Sequence, residues 1–159
     1  MAISFFFQDT RLRLPERKRL KEFILSLFKH HGRKLKSLTY VFCTDKYLLE
    51  INRKFLNHDH YTDIITFNLS DSKLTIEGEI YISVDRVKEN AGVLGASINE
   101  ELHRVMFHGV LHLCGLKDKG NKDKKIMRLE EDKNLKLYLG RCSTGNIFQG
   151  ERSTGNIDK

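Results

Sequence analysis

The chain has 159 residues and a net charge of +7, from 28 Lys and Arg against 21 Asp and Glu. This length predicts a single domain that buries its own core. No apolar run approaches the ~20 residues that span a bilayer, and the first residues lack the basic region and cleavage site of a signal peptide. The three cysteines, Cys43, Cys114 and Cys142, form no CxxC pair, which argues against a disulfide framework. We therefore expect a cytoplasmic protein that is neither secreted nor embedded in a membrane.

The positive charge is concentrated near the N-terminus. Residues 1–36 contain ten basic and three acidic side chains, which accounts for the whole excess, and the other 123 residues carry equal numbers of each sign. Such a block attracts polyanions such as RNA. The solvated face of a helix has the same composition, so charge alone leaves both interpretations open.

Predicted strands and helices follow one another without a strict βαβ rhythm. Strands are predicted where β-branched and aromatic residues are dense, at 3–7, 38–43, 64–69 and 79–84, and residues 74–76 could extend either of the last two. Helices are predicted where apolar residues recur at helical spacing, from Pro15 to Gly32, from Thr44 or Asp45 to Phe55, and at 85–94, 97–114 and 122–139. This order indicates an α+β fold, a small mixed sheet of about four strands packed with helices.

The end of the chain differs from the rest. The apolar stripe of the last predicted helix is weaker than the others and consists of Ile126, Leu129, Leu135 and Tyr138 around Lys133. Beyond it, the sequence STGNI at 143–147 recurs at 153–157. A polar segment rich in Gly and Ser buries too little surface to order itself. We expect one domain at 1–139 and a disordered tail at 140–159.

The predicted helix at 97–114 is apolar on nearly all sides, which is typical of a buried helix at the centre of a fold. His108 and His112 lie one turn apart on one side of it, whereas His103 falls on another face and is expected at the surface or the edge of the core. Burying two imidazoles is costly unless each has a partner. A metal ion would be such a partner, because i, i+4 spacing directs both rings to one point. Histidines satisfied within the core are the alternative.

A glycine and an aspartate follow these histidines at informative distances. Gly115 lies where the helix must end, and a glycine in the left-handed conformation turns the chain back. Asp118 is then placed to offer a third ligand, so HxxxHxxGxxD has the spacing of a zincin-type site with Asp in third position. Three protein ligands leave one coordination position open, which is typical of a catalytic metal.

Gly109 occupies the position of the catalytic Glu in HExxH peptidases, which argues against peptidase chemistry. Two histidines and a carboxylate also bind non-haem iron, a less favoured alternative.

Three motifs in this order resemble those of one known family. They are Glu-Glu-Leu at 100–102 with HGVLHLCG at 108–115, Asn52 followed by TDIITF at 62–67, and GEIYIS at 78–83. On these residues the chain resembles the YbeY family of metal-dependent endoribonucleases. The resemblance implies single-strand-specific cleavage of RNA in ribosomal RNA processing, namely 3′ end maturation of the small-subunit rRNA, and a role in ribosome biogenesis. It also implies RNA (an rRNA precursor) and the ribosome or ribosomal proteins as partners.

The resemblance further implies one divalent metal ion, first of all Zn²⁺, with Ni²⁺ or Mn²⁺ as alternatives. The metal ligands predicted for this chain are His108, His112 and Asp118, although the family has a third histidine where this chain has Asp118. A carboxylate ligand lowers the net positive charge of the site and loosens selectivity for zinc. A metal held there would polarise a phosphoryl oxygen and activate water.

The catalytic candidates outside the ligand set are Asp63 or His58, as a general base, and Arg53, as a phosphate-binding cation. His58 and His60 lie in a predicted loop and are expected to face solvent. Asp63 precedes a predicted strand, where a structural turn or cap is an equally open interpretation. The family often has Arg at the position of Leu56. The cations that could replace it are Arg53, Lys54, Lys117 and Lys119.

A second hypothesis is a non-catalytic RNA-binding factor for ribosome assembly in which the metal is structural. A structural site would be closed by a fourth protein ligand, for which the sequence offers Cys114 or His60. The sequence predicts no oligomeric state.

Overall fold

Five helices and five strands make up the part of the chain that the computed structural model describes, namely residues 2–140 and, for the backbone alone, residues 154–158. In chain order the elements are β1 (Ile3–Gln8), α1 (Arg17–His30), β2 (Lys34–Cys43), α2 (Asp45–Leu56), β3 (Ile64–Asn68), β4 (Thr75–Ser83), α3 (Val84–Leu94), α4 (Ile98–Leu113), α5 (Gly120–Leu139) and β5 (Thr154–Asp158). Among the described helices, none has the length and apolar character needed to cross a bilayer.

The strands form one mixed sheet in the order β1-β2-β4-β3-β5. β1, β2 and β4 run parallel to one another, β3 is antiparallel to β4, and β5 is parallel to β3. Alternate residues of the central strands, such as Leu38, Tyr40 and Phe42 of β2, are buried, as the period of two of a strand requires. The predicted α+β fold is confirmed, and residues 75 and 76 extend β4 rather than β3.

Two predicted helix starts are confirmed by their capping hydrogen bonds. The Thr44 hydroxyl accepts a hydrogen bond from the backbone N–H of Tyr47 at 3.2 Å, and the Ser97 hydroxyl accepts one from Glu100 at 3.0 Å. Each bond satisfies one of the backbone donors that the first turn of a helix leaves unpaired. α2 and α4 therefore begin where their sequences predict.

α4 is the central helix of the fold, and twelve of its sixteen residues are buried. Gly109 faces the sheet: a Cβ atom there would lie 2.7 Å from Cδ1 of Ile80 and 3.1 Å from Cδ1 of Ile64. A side chain at position 109 would therefore require the packed Ile80 and Ile64 side chains, or the helix itself, to shift. The absence of a Cβ lets the helix approach the sheet closely, and this approach fixes the position of the histidines on its other faces.

The C-terminal segment is only partly described. Residues 141–153 and 159, which belong to the predicted tail at 140–159, lie outside the described residues. Thr154–Asp158, however, forms β5 along β3, whereas we expected no regular structure there. A sheet edge presents unpaired backbone N–H and C=O groups, so a segment can pair with it through its backbone without an apolar side-chain pattern. This is why composition missed the strand.

Replacing Gly109 by Ala should destabilise the fold relative to the same change at Gly92 of α3. An alanine in a helix gains up to about 1 kcal/mol over glycine, and a Cβ at Gly92 would meet no atom within 4 Å. At Gly109 the added methyl overpacks the contact with Ile80, so we expect Gly109→Ala to be less stable than Gly92→Ala by about 1 kcal/mol or more. Urea unfolding of both variants measures the difference, and equal stabilisation of both would contradict the close contact.

Candidate active site

His108 lies in the interior between α4, α5 and the turn that follows α4. Its Nδ1 is 2.7 Å from a carboxylate oxygen of Glu131 on α5, and both side chains are buried. Its Nε2 is also buried, has no hydrogen-bond partner among the described residues, and lies 3.8 Å from a carboxylate oxygen of Asp118. The ring therefore has one nitrogen held by a carboxylate and the other directed at a second carboxylate.

The turn after α4 brings Asp118 back towards His108. The N–H of Gly115 donates to the carbonyl of His112 at 3.0 Å, and the N–H of Leu116 donates to that of Leu111 at 3.1 Å, which closes the helix end. Gly115 has a φ of +101°, a conformation that side chains disfavour. The Arg33 guanidinium donates to the carbonyl of Cys114 at 3.0 Å and holds the turn from outside. The predicted glycine turn, and the return of the aspartate to the first histidine, are thus present.

Two of the three predicted ligands, His108 and Asp118, are close enough to each other to share a divalent cation. Two donor atoms bound tetrahedrally to zinc at about 2.1 Å each are roughly 3.4 Å apart, close to the 3.8 Å between Nε2 of His108 and Asp118. His112 is half-buried one turn further along α4. Within residues 2–140, however, no three His, Cys, Asp or Glu side chains converge well enough to hold a metal ion. The set of His108, His112 and Asp118 therefore stays a prediction.

A buried ion-pair network surrounds His108. Arg104, one turn before His108 on α4, contacts the second oxygen of Glu131 at 3.3 Å and Asp132 at 2.6 Å. The side chains of Arg104 and Glu131 are buried, so their charges would be costly without each other. The network joins α4 to α5 at the level of the candidate site.

Glu131 is the site residue that sequence reasoning missed, and the error lies in the stripe assigned to α5. Ile126 and Leu129 of the predicted stripe are exposed. The face that packs on α4 consists instead of Met127, Glu131, Asn134, Leu135 and Tyr138. Two polar residues occupy this buried face, and Glu131 is accommodated there because His108 and Arg104 satisfy its carboxylate. These five positions recur at helical spacing, and this pattern is the sequence signal that could have identified the buried face of α5.

The other catalytic candidates lie on the connection from α2 to β3. Arg53 is exposed on α2 and pairs with Asp59 of the following loop. Asp63 is buried immediately before β3, and its carbonyl accepts a hydrogen bond from the N–H of Ser83 at 2.9 Å. The backbone of Asp63 thus takes part in the pairing between β3 and β4, and His58 is exposed in the preceding loop. Catalytic roles for Asp63 and Arg53 stay predictions.

His103 is buried, which corrects the expected position at the surface or the core edge. Its Nδ1 lies 2.6 Å from the carbonyl of Asn99, and its ring stacks on Tyr138 with centroids 5.2 Å apart. Burial lowers the pKa of His103; the bond to Asn99 raises it by less, nearby Arg19 lowers it further and Glu16 raises it slightly. The packing of α1 and α5 over this face of α4 covers a residue that looks peripheral on a helical projection.

Comparison with known proteins decides the family. The sequence profile described as Endoribonuclease YbeY matches residues 6–138. The chain belongs to the YbeY family. A relative from Cytophaga hutchinsonii named Endoribonuclease YbeY is 48% identical over 136 residues, which cover 86% of this chain and 95% of the relative. One of the same name from Flavobacterium psychrophilum is 51% identical over 115 residues, covering 72% and 79%.

A solved structure extends this comparison to three dimensions. The solution structure of TM1509 from Thermotoga maritima is similar to this chain with a TM-score of 0.61 and 26% sequence identity. The match covers 87% of this chain and 89% of that one. The α+β architecture described above is therefore shared with a solved protein over most of both chains.

Acidification should destabilise the protein partly through His103. The folded-state pKa of His103 lies below the ordinary 6.5, so below that pH the unfolded chain takes up a proton that the folded chain excludes, and stability falls as pH falls. His103→Phe keeps the aromatic contacts with Tyr138 and Phe107, and we expect it to lose less unfolding free energy between pH 7.5 and pH 5.5 than the wild type. Urea unfolding at both pH values measures this, with His58→Phe on an exposed loop as control. An equal loss of unfolding free energy in the wild type and in His103→Phe would contradict a lowered pKa of His103 in the folded protein.

Proposed function

We propose that this protein is a metal-dependent endoribonuclease that cleaves single-stranded RNA. The observation that carries the proposal is the orientation of the His108 imidazole. Its Nδ1 contacts Glu131, and its buried Nε2 faces Asp118. Membership of a family whose relatives are named endoribonucleases supports a hydrolase that acts on phosphodiester bonds.

In this proposal His108, His112 and Asp118 hold one divalent cation, with Zn²⁺ as first choice and Ni²⁺ or Mn²⁺ as alternatives. When bound, the ion supplies Lewis-acid polarisation of a phosphoryl oxygen. His108 and His112 leave the same side of α4, since residues four apart on a helix have Cβ atoms roughly 5–6 Å apart. A carboxylate in third position suits harder cations better than a third imidazole does.

The charges around the turn after α4 suit a phosphodiester substrate. Lys117 and Lys119 are exposed on either side of Asp118. Their ammonium groups are available to bind the phosphates that flank the scissile bond and to offset the negative charge that develops during hydrolysis. Arg53 and Asp63, on the α2–β3 connection, remain our candidates for a second phosphate contact and for the general base.

We place the activity in ribosomal RNA processing, specifically 3′ end maturation of the small-subunit rRNA within ribosome biogenesis. An rRNA precursor and the ribosome or its proteins would then be the partners, and the basic residues at 1–36 would contribute sequence-independent attraction to RNA. We also propose a cytoplasmic location, which the free, buried thiols of Cys43 and Cys114 support.

Purified protein supplied with Zn²⁺ or Mn²⁺ should cleave a labelled single-stranded RNA, and His112→Ala should abolish cleavage because it removes one predicted ligand. His30→Ala, which removes an exposed histidine at the end of α1, is the matched control and should cleave as the wild type does. The measurement is gel separation of the products over time. Cleavage that survives in His112→Ala contradicts the proposal, and salt-sensitive RNA binding without cleavage by the wild type would favour the assembly factor with a structural metal.

Metal analysis should find one divalent ion per folded chain, and His108→Ala should lose it. Asp118→Asn should weaken binding, because the amide lacks the negative charge of the carboxylate, whereas Asp118→His should retain the ion and favour Zn²⁺ over Mn²⁺. Elemental analysis after dialysis and chelator competition measure content and affinity. Equal metal content in the wild type and His108→Ala would place any bound metal elsewhere. Unchanged affinity in Asp118→Asn would remove the aspartate from the ligand set.

A further inference from the structure

The contact between His108 and Glu131 determines which nitrogen of the imidazole carries a lone pair. A neutral imidazole has one N–H and one acceptor nitrogen. A carboxylate only accepts hydrogen bonds, so the 2.7 Å contact between Nδ1 and Glu131 places the proton on Nδ1. The lone pair is then on Nε2, the atom that faces Asp118. The ring is thus prepared to bind a cation on the side of Asp118.

Glu131 is itself held in position by Arg104. One oxygen of Glu131 accepts from His108, and the other lies 3.3 Å from the Arg104 guanidinium. Arg104 also contacts Asp132 at 2.6 Å, so one guanidinium joins two consecutive residues of α5. Because Glu131 and Arg104 are buried, the carboxylate has little freedom to turn away from His108.

We propose that Glu131, held by Arg104, is a positioning residue that fixes His108 with its proton on Nδ1 and presents the Nε2 lone pair to a divalent cation shared with Asp118. This inference rests on the proposed function, since it concerns the same cation. Glu131 does not touch that cation or the substrate; it acts through the ring. A carboxylate on the far nitrogen of a ligating histidine fixes the tautomer and makes the ligand more basic, and its loss typically costs 10–100-fold in metal affinity.

The test compares Glu131→Ala and Glu131→Gln with Glu130→Gln, a matched control at the adjacent position whose side chain is partly exposed and 4.0 Å from His31. Zn²⁺ affinity is measured by competition with a chelator. We expect Glu131→Ala to bind Zn²⁺ about 10–100-fold more weakly than the wild type. Glu131→Gln, which keeps an acceptor oxygen for Nδ1, should recover part of this loss, and Glu130→Gln should bind like the wild type. Circular dichroism checks that each variant is folded.

A second readout needs neither metal nor activity. Long-range ¹H–¹⁵N correlation spectra of the metal-free protein at alkaline pH, where the imidazole is neutral, identify the protonated nitrogen of His108. We expect the proton on Nδ1 in the wild type and in Glu131→Gln, and a shift of population to Nε2–H in Glu131→Ala.

The outcomes separate the inference from the function on which it rests. Wild-type affinity in Glu131→Ala, together with loss of Zn²⁺ in His108→Ala, would overturn the positioning role and leave the proposed metal site intact. A proton on Nε2 in the wild type would also overturn it. Failure of the wild-type protein to bind any divalent cation would contradict both proposals.

Discussion

The structure depends on the burial of α4, a helix that brings charged and polar side chains into the interior along with its apolar ones. His103, Arg104 and His108 are all buried, and each would be costly there without a partner. The three are satisfied in different ways: His103 by a carbonyl of its own helix, Arg104 by two carboxylates of α5, and His108 by Glu131 on one nitrogen. The packing of α5 on α4 therefore includes buried ionic contacts as well as apolar ones.

The close contact of α4 with the sheet positions the candidate site. Gly109 lies against Ile80 and Ile64, and on the sheet side a Cβ at Gly78 of β4 would lie 2.9 Å from Leu113 near the end of α4. Two glycines, one on each partner, thus allow the helix and the sheet to approach at successive turns. His108 lies next to Gly109 on α4, and its ring contacts Glu131 of α5. The position of α4, and of the histidines it carries, thus depends on glycines for which we propose no role in chemistry.

Features that depend on residues close in the chain were predictable from the sequence. Contacts between elements far apart in the chain were not. The approach of Asp118 to His108 was predictable, since only ten residues and one helix end separate them and Gly115 determines the turn. Glu131 is 23 residues from His108 on another helix, and its burial follows from a tertiary ion pair that a helical projection does not contain. β5 was missed for a related reason, because pairing along the edge of β3 uses backbone groups that every sequence has.

The charges around His108 connect this packing to the proposed metal. Among the ion pairs described for residues 2–140, the carboxylates of Glu131, Asp132 and Asp118 and the guanidinium of Arg104 form one connected set around the ring. The formal charges of these four groups sum to minus two. Glu131 is buried, Asp118 is largely buried and Asp132 is partly exposed, so a nearby cation would stabilise the first two carboxylates most. A divalent ion at Nε2 of His108 would balance the set. The aspartate that replaces the family's third histidine then has an electrostatic consequence, since it supplies one of the two charges that such an ion would neutralise.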